Sequence, residues 1–183
     1  VQTDLSHFSN CQLLIEAVFE DLSLRYPNLE YLGLEPKEEF CEAAVEKYGS
    51  DPRFKINKGF SQDFLADIGE VDVIIAFDCF EHMPLDVRNY NIDLVSRTVF
   101  KRMFVNVPNE VGPAIIVKNF GSFLMRYVRH KEYTLMETLW AGMYKVDKFG
   151  VHKNGHKGFD WRVLYTNFRF YFKTVIRTSP LKF

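Results

Sequence analysis

Residues 71–82 read Val71-Asp72-Val73-Ile74-Ile75-Ala76-Phe77-Asp78-Cys79-Phe80-Glu81-His82. After Asp72 the apolar residues follow one another without alternation. A strand of that composition is covered on both faces, as strands of parallel sheets are. The Val73–Phe77 run is also far short of the roughly 20 apolar residues that cross a bilayer. It gives way at once to Asp78, Glu81 and His82, so the strand ends on groups that can do chemistry.

Outward from this strand, similar units recur on both sides. Upstream, Glu30-Tyr31-Leu32-Gly33-Leu34 reads as a short strand ending at Glu35. Pro36 sits at the first position of a helix, where its missing N–H costs nothing. That helix runs to Tyr48, and Gly49 stops it. Phe54 to Asn57 is a weaker strand, and Gly59 to Asp67 a loop or short helix. Downstream, Leu85 to Arg97 is helical, and Arg102 to Val107 is a buried-type strand stopped by Pro108. At the start of the chain, Ser9-Asn10-Cys11-Gln12 has capping-box spacing. It predicts a helix from Ser9 to about Arg25, with Leu14, Val18 and Leu22 as its apolar stripe. Strand and helix alternate as far as Val107, which predicts an α/β fold with a doubly wound, mostly parallel sheet.

The pattern then changes. Gly112 to Tyr144 is mostly helical and rich in aromatic and basic residues. Val151 to Gly158 is a polar loop that holds His152 and His156. Asp160 caps a short helix to about Tyr165, and Phe168 to Lys173 alternates as a half-exposed strand does. The whole, 1–183, reads as one domain with a helical insertion at 110–150, between the fifth and sixth strands.

Composition narrows the functional classes. Hydrophobic residues make up 47% and charged residues 26%, the balance of a soluble globular domain. The net charge of −1 argues against bulk nucleic acid as the main partner. Aromatic residues at 16% exclude low-complexity disorder. Cys11, Cys41 and Cys79 match no paired spacing, so reduced thiols in a cytoplasmic protein are expected. Each reads first as a small buried hydrophobe.

Open α/β sheets bind ligands at the carboxyl ends of their strands. The residues nominated are Glu35, Asn57 to Ser61, Phe77 to His82 and Pro108 to Glu110. Glu35 offers two acceptor oxygens at the spacing of a vicinal diol, as on a ribose. Its plainer role is an acidic helix-start residue answering the macrodipole. Asp78 is placed to hold an amino group. His82 is either a general base near neutral pH or a loop residue. Glu81 reads first as a buried structural hydrogen-bonder. His152 and His156 flank the turn pair Asn154-Gly155. A metal would need a third ligand, and none stands at motif spacing, so substrate contact, a base or an ordinary polar loop are the readings left.

Three stretches taken together resemble the class I S-adenosylmethionine-dependent methyltransferases of small-molecule type. They are Tyr31-Leu32-Gly33-Leu34-Glu35-Pro36, Val71 to Phe77 followed by Phe80-Glu81-His82, and Val105-Asn106-Val107-Pro108-Asn109. They match the acidic end of the second strand, the turn after the fourth and the end of the fifth, in the family's order. His152 to Asp160 is similar to a substrate-side loop. The resemblance covers roughly residues 9 to 177. It implies S-adenosylmethionine as cofactor and methyl transfer to an O or N atom of a small molecule. Glu35 and Pro36 would meet the ribose, Phe60 and Ser61 the adenine, and Phe77 and Asp78 the methionine end. His82 would stand beside the transferring methyl, with His152 and His156 as further candidate bases. Asn109, Glu110, Tyr127 and Arg129 are the candidate substrate contacts.

The chain departs from the family in two places. No strand and no glycine occupy Val1 to Phe8, and no glycine stands before Gly33, so the glycine-rich first loop is expected to be missing. Only three residues follow Pro180, so the last strand is not evident. The insertion reads as a lid over an anionic or partly apolar substrate, as a packed helix pair, or as a basic amphipathic helix on a membrane surface, the least favoured of the three. Two rivals stand beside the methyltransferase: a nucleotide-dependent oxidoreductase, and a degenerate binding module without activity.

Overall fold

The computed structural model describes residues 12–16 (backbone), 28–125, 133–149 and 157–177. Five strands form one sheet: β1 Gln12–Glu16, β2 Glu30–Glu35, β3 Phe54–Lys58, β4 Val71–Phe77 and β5 Phe100–Asn106. Every pairing is parallel, in the order β3-β2-β1-β4-β5. The α/β class and the parallel sheet are therefore as the alternation of strands and helices predicted. The bounds of β4 and of the Leu85–Arg97 helix agree with the sequence reading residue for residue.

The helix expected from Ser9 to Arg25 is corrected in its middle. Gln12–Glu16 is a strand, and it is the central one. Leu13, Leu14 and Ile15 pair with Tyr31, Leu32 and Gly33 on one side and with Val73, Ile74 and Ile75 on the other. A short stretch with three successive apolar residues, Leu13-Leu14-Ile15, is as compatible with a buried strand as with a helix. Two flanking strands, both remote in sequence, decide it. The expected capping residues Ser9 to Cys11 and the stretch 17–27 lie outside the described residues.

The chain divides into two compact units. The first holds residues 1–80 and 86–106, the second 81–85 and 107–183. In the first, Leu29, Tyr31, Phe54, Val73 and Ile75 form a core cluster, with Tyr48, Phe77 and Phe104 packed against it. Tyr31 stacks on Phe54 at 4.4 Å between ring centroids, and Tyr48 covers Phe54 at 5.2 Å. Tyr48 closes helix α1 (Glu38–Tyr48), so this pair of contacts seats α1 on the sheet. Helix α1 starts at Glu38 with Lys37 as N-cap, which puts Pro36 in the preceding turn and not at the first helical position. A one-turn helix α2 (Ser61–Phe64) follows β3. Helix α3 (Leu85–Arg97) buries Asn91, Ile92 and Val95. Ile74 and Ala76 are buried as fully as Val73 and Ile75, so β4 is covered on both faces. β5 has no fully buried residue and exposes Lys101 and Arg102, so it is less enclosed than its sequence implied.

In the second unit, helices α4 (Pro113–Leu124) and α5 (Leu135–Gly142) pack together through Ile115 and Ala141, with Tyr133 and Phe149 beside them. Helix α6 (Trp161–Tyr171) replaces the expected strand Phe168–Lys173. Leu164 and Phe168 are buried one turn apart, and Phe172 stacks on Phe168 at 5.6 Å. Spacings of four residues, not two, therefore govern this segment. Asp160 is the N-cap, as its sequence position implied, and accepts the Arg162 backbone N–H at 3.0 Å. Among the described residues no sixth strand is present. Nor is any helix there long and apolar enough to cross a membrane.

Candidate functional site

The order of the strands reverses direction between β1 and β4. Sequence-successive strands run outward from β1 to β2 and β3 on one side, and from β4 to β5 on the other. At such a switch point the connections at the carboxyl ends of the strands diverge and leave a crevice. β2 and β4 both flank β1, so their ends stand about 10 Å apart at ordinary strand spacing. Glu35 ends β2 and Phe77 ends β4. The register pairs Glu35 with Lys58 of β3, and Phe77 with Asn106 of β5.

Glu35 is half-buried, and its Oε1 accepts the Lys37 backbone N–H at 2.9 Å. The helix-start role is thus real and uses one oxygen. Among the described residues Oε2 accepts no hydrogen bond, so the other half of the carboxylate remains for a ligand. The next strand end is tied to the same place: Gly59 N–H donates to the Glu35 carbonyl at 3.2 Å. A side chain at Gly59 would strike the Phe64 ring, 2.5 Å from an ideal Cβ, so only glycine lets the chain turn there. Lys58 donates to Glu38 at 2.6 Å, and this hydrogen bond holds the Glu38 carboxyl below its ordinary range.

Phe60 follows, 56% exposed although it is a large apolar ring. Its backbone N–H donates to Asp63 Oδ2 at 3.1 Å, and its carbonyl accepts from the Asp63 N–H. These bonds fix the start of α2 and leave the ring outside. Ser61 Oγ donates to Asn91 Oδ1 at 2.6 Å. Asn91 is buried and also donates to the Val87 carbonyl at 2.9 Å. Asn91 therefore positions Ser61, a role that no local motif announces across a separation of thirty residues.

Asp78 adopts φ 51°, the left-handed region that non-glycine residues rarely enter and Asp tolerates better than most. Its backbone N–H donates to the Asn106 carbonyl at 3.0 Å, and its Oδ1 accepts from Asn106 Nδ2 at 3.4 Å. The chain turns sharply off β4 and presents an exposed carboxylate. Phe77 packs its side chain on the core cluster and so braces the strand end.

The remaining expected residues belong to the second unit or lie outside the described residues. His82, exposed, closes a short 3-10 turn (Phe80–His82), and Glu81 before it is buried. Both belong to the second unit. Asn109 is exposed, and its Oδ1 accepts the Val111 N–H at 3.4 Å, a loop-closing bond. Glu110 is 0% exposed. Lys118 donates to its Oε1 at 2.5 Å and the Tyr133 hydroxyl to its Oε2 at 3.3 Å. That hydroxyl in turn accepts the Gly158 N–H at 2.9 Å. Glu110 thus joins three segments of the second unit as an internal anchor. Tyr127, Arg129, His152 and His156 lie outside the described residues. Among the described residues no cluster of His, Cys, Asp and Glu is able to hold a metal ion.

The site that the first unit assembles is thus an acidic, aromatic rim. Glu35 and Asp78 stand on either side of the central strand, and Phe60 stands beyond Glu35. Such a set suits a ligand with a diol, a flat heterocycle and a cationic group.

No family model matches the chain, and no curated protein matches it. Among solved structures, the crystal structure of the [4+2]-cyclase SpnF aligns with 12% identity and a TM-score of 0.41. The alignment covers 52% of this chain and 37% of that one. A likeness of this degree carries no argument about function.

Proposed function

We propose that this chain binds S-adenosylmethionine at the carboxyl edge of its sheet and transfers the methyl group to an oxygen or nitrogen of a small molecule. On this reading the fold is a doubly wound, Rossmann-like methyltransferase fold. The observation that carries it is the place of Glu35: the last residue of β2, next to the switch between β1 and β4, with one carboxylate oxygen accepting no hydrogen bond among the described residues. The residues present fit the nucleoside in kind. Glu35, with Pro36 beside it, would accept from the ribose hydroxyls. The exposed Phe60 ring would stack on adenine, with Ser61 at its edge. Asp78 would hold the amino group of the methionine part.

The cofactor supplies an activated methyl on a sulfonium whose leaving group is neutral. What the protein adds is orientation and removal of the acceptor's proton. His82 is the first proposed base, and His152 and His156 are the others. The 110–150 segment is proposed to select the substrate.

A second reading has one observation in its favour. With β1 placed at Gln12–Glu16, the connection to β2 contains no glycine, since the first glycine of the chain is Gly33. A binding module that lacks catalysis fits that composition.

Calorimetric titration with S-adenosylhomocysteine tests the proposal. Saturable binding is expected, weakened at least tenfold in Glu35→Ala, since a lost hydrogen bond to a charged group costs about 1.5–3 kcal/mol. No heat from a folded sample would overturn it.

A further inference from the structure

The outer face of helix α4 is as apolar as its inner one. Inside, Ile115 and Asn119 are buried, and Asn119 donates to Thr138 of α5 at 2.9 Å. Outside, Val117, Phe120 and Leu124 are 74%, 62% and 65% exposed. They stand three and four residues apart, so they form one stripe. Met125 after them and Leu135 and Met136 of α5 are exposed as well. The one charged side chain of α4 is Lys118, and it is committed to the buried Glu110. A soluble surface seldom leaves such a stripe uncovered.

The charge of the unit that bears it points to its partner. Residues 81–85 and 107–183 hold thirteen Lys and Arg against six Asp and Glu, a net +7. The first unit holds ten against eighteen, a net −8, and together they give the overall −1. The near-neutral total therefore conceals a strongly cationic half. The ten residues between α4 and α5, 125–134, include Arg126, Arg129 and Lys131, so the stripe is followed in sequence by three of these cations.

We propose that the second unit docks on the surface of an anionic phospholipid bilayer through the apolar stripe of α4, drawn there by its net positive charge. Apolar side chains enter the acyl boundary, while the net positive charge is drawn to acidic headgroups. The helix spans twelve residues, about 18 Å, against a hydrocarbon core of about 30 Å, so it lies in the interface and does not cross. Nucleic acid would use the cations but leaves Val117, Phe120 and Leu124 without a role. A second copy seated stripe to stripe would meet a unit of the same strong positive charge.

Co-sedimentation of the full chain with vesicles tests this. Binding to phosphatidylcholine vesicles containing phosphatidylserine is expected to exceed binding to phosphatidylcholine alone by at least tenfold, and to weaken as salt is raised. The double variant Phe120→Ser, Leu124→Ser should lose at least tenfold of that binding with its thermal transition intact, because both side chains are exposed. Val117→Ser, a milder change, guards against a folding defect in the pair. Failure to sediment with either vesicle would overturn the proposal. So would binding that ignores phosphatidylserine or survives the apolar variants. Binding to a duplex oligonucleotide that survives those variants while vesicles are not bound would do the same. A wild-type dimer that the double variant dissolves, with no vesicle binding, would also overturn it.

Discussion

At the scale of single residues, the local pattern goes furthest where chemistry and backbone coincide. Glu35 is legible as the carboxylate that ends a short apolar strand and precedes a helix. The structure adds that Oε1 is spent on the Lys37 N–H. Asp78 is legible as a strand-end acid, but its left-handed backbone is not, since that follows from its bond to the Asn106 carbonyl on a neighbouring strand. Asn91 is not legible at all, because its grip on Ser61 depends on α3 and α2 meeting in space. Asn91→Ala is accordingly expected to cost about 1–3 kcal/mol through Ser61 and the Val87 carbonyl, measured by urea unfolding. Asp160 gives a pH-dependent case. Burial pushes its carboxyl up, and the side-chain and backbone hydrogen bonds from Arg162 more than reverse this, so its folded value lies below the ordinary one. Its stabilising effect is therefore present above the unfolded value of about 3.9 and is lost as pH falls through the lower, folded value. Asp160→Ala should cost about 1 kcal/mol at neutral pH and leave a shallower acid limb in a stability–pH profile; an unchanged profile would remove Asp160 from that role.

At the scale of elements, β4 and α3 were legible to the residue because each is long and bounded by clear signals. β1 and α6 were not, for opposite reasons. β1 is a short apolar stretch that its partner strands turn into the sheet centre. α6 carries alternating aromatics that imitate a strand, while Leu164 and Phe168 are buried at helical spacing. Two outcomes follow. Leu14→Pro removes a ladder hydrogen bond from the central strand and should destabilise the first unit by about 3 kcal/mol or more. A variant as stable as wild type would refute the central position of β1. In α6, Phe168→Ala should cost about 3 kcal/mol and Phe170→Ala, at an 83% exposed position, less than about 0.5 kcal/mol. A strand would place both rings on one face and make the two losses alike.

At the scale of the whole molecule, composition hid more than it revealed. The net charge of −1 is the sum of two units of opposite sign, which only the division of the chain exposes. The second unit is held by its own means: Glu110 with Lys118 and Tyr133, Glu137 with Lys157, and Gly112 against Tyr144. At Gly112, φ is 83° and a Cβ would collide with the Tyr144 hydroxyl, so Gly112→Ala should lower the thermal midpoint markedly. The parallel sheet, by contrast, gathers the groups proposed to face a ligand at one switch point, where Glu35 is the centre of the functional proposal. The most direct measurement is a paired titration with S-adenosylhomocysteine and its 2′-deoxy and 3′-deoxy analogues, on the wild type and on Glu35→Ala. The expected result is that the wild type loses about tenfold or more in affinity for each deoxy analogue, while Glu35→Ala binds all three with the same weakened affinity. A wild type that does not distinguish the analogues, or a variant that distinguishes them as the wild type does, would contradict the assignment of Glu35 to the ribose diol.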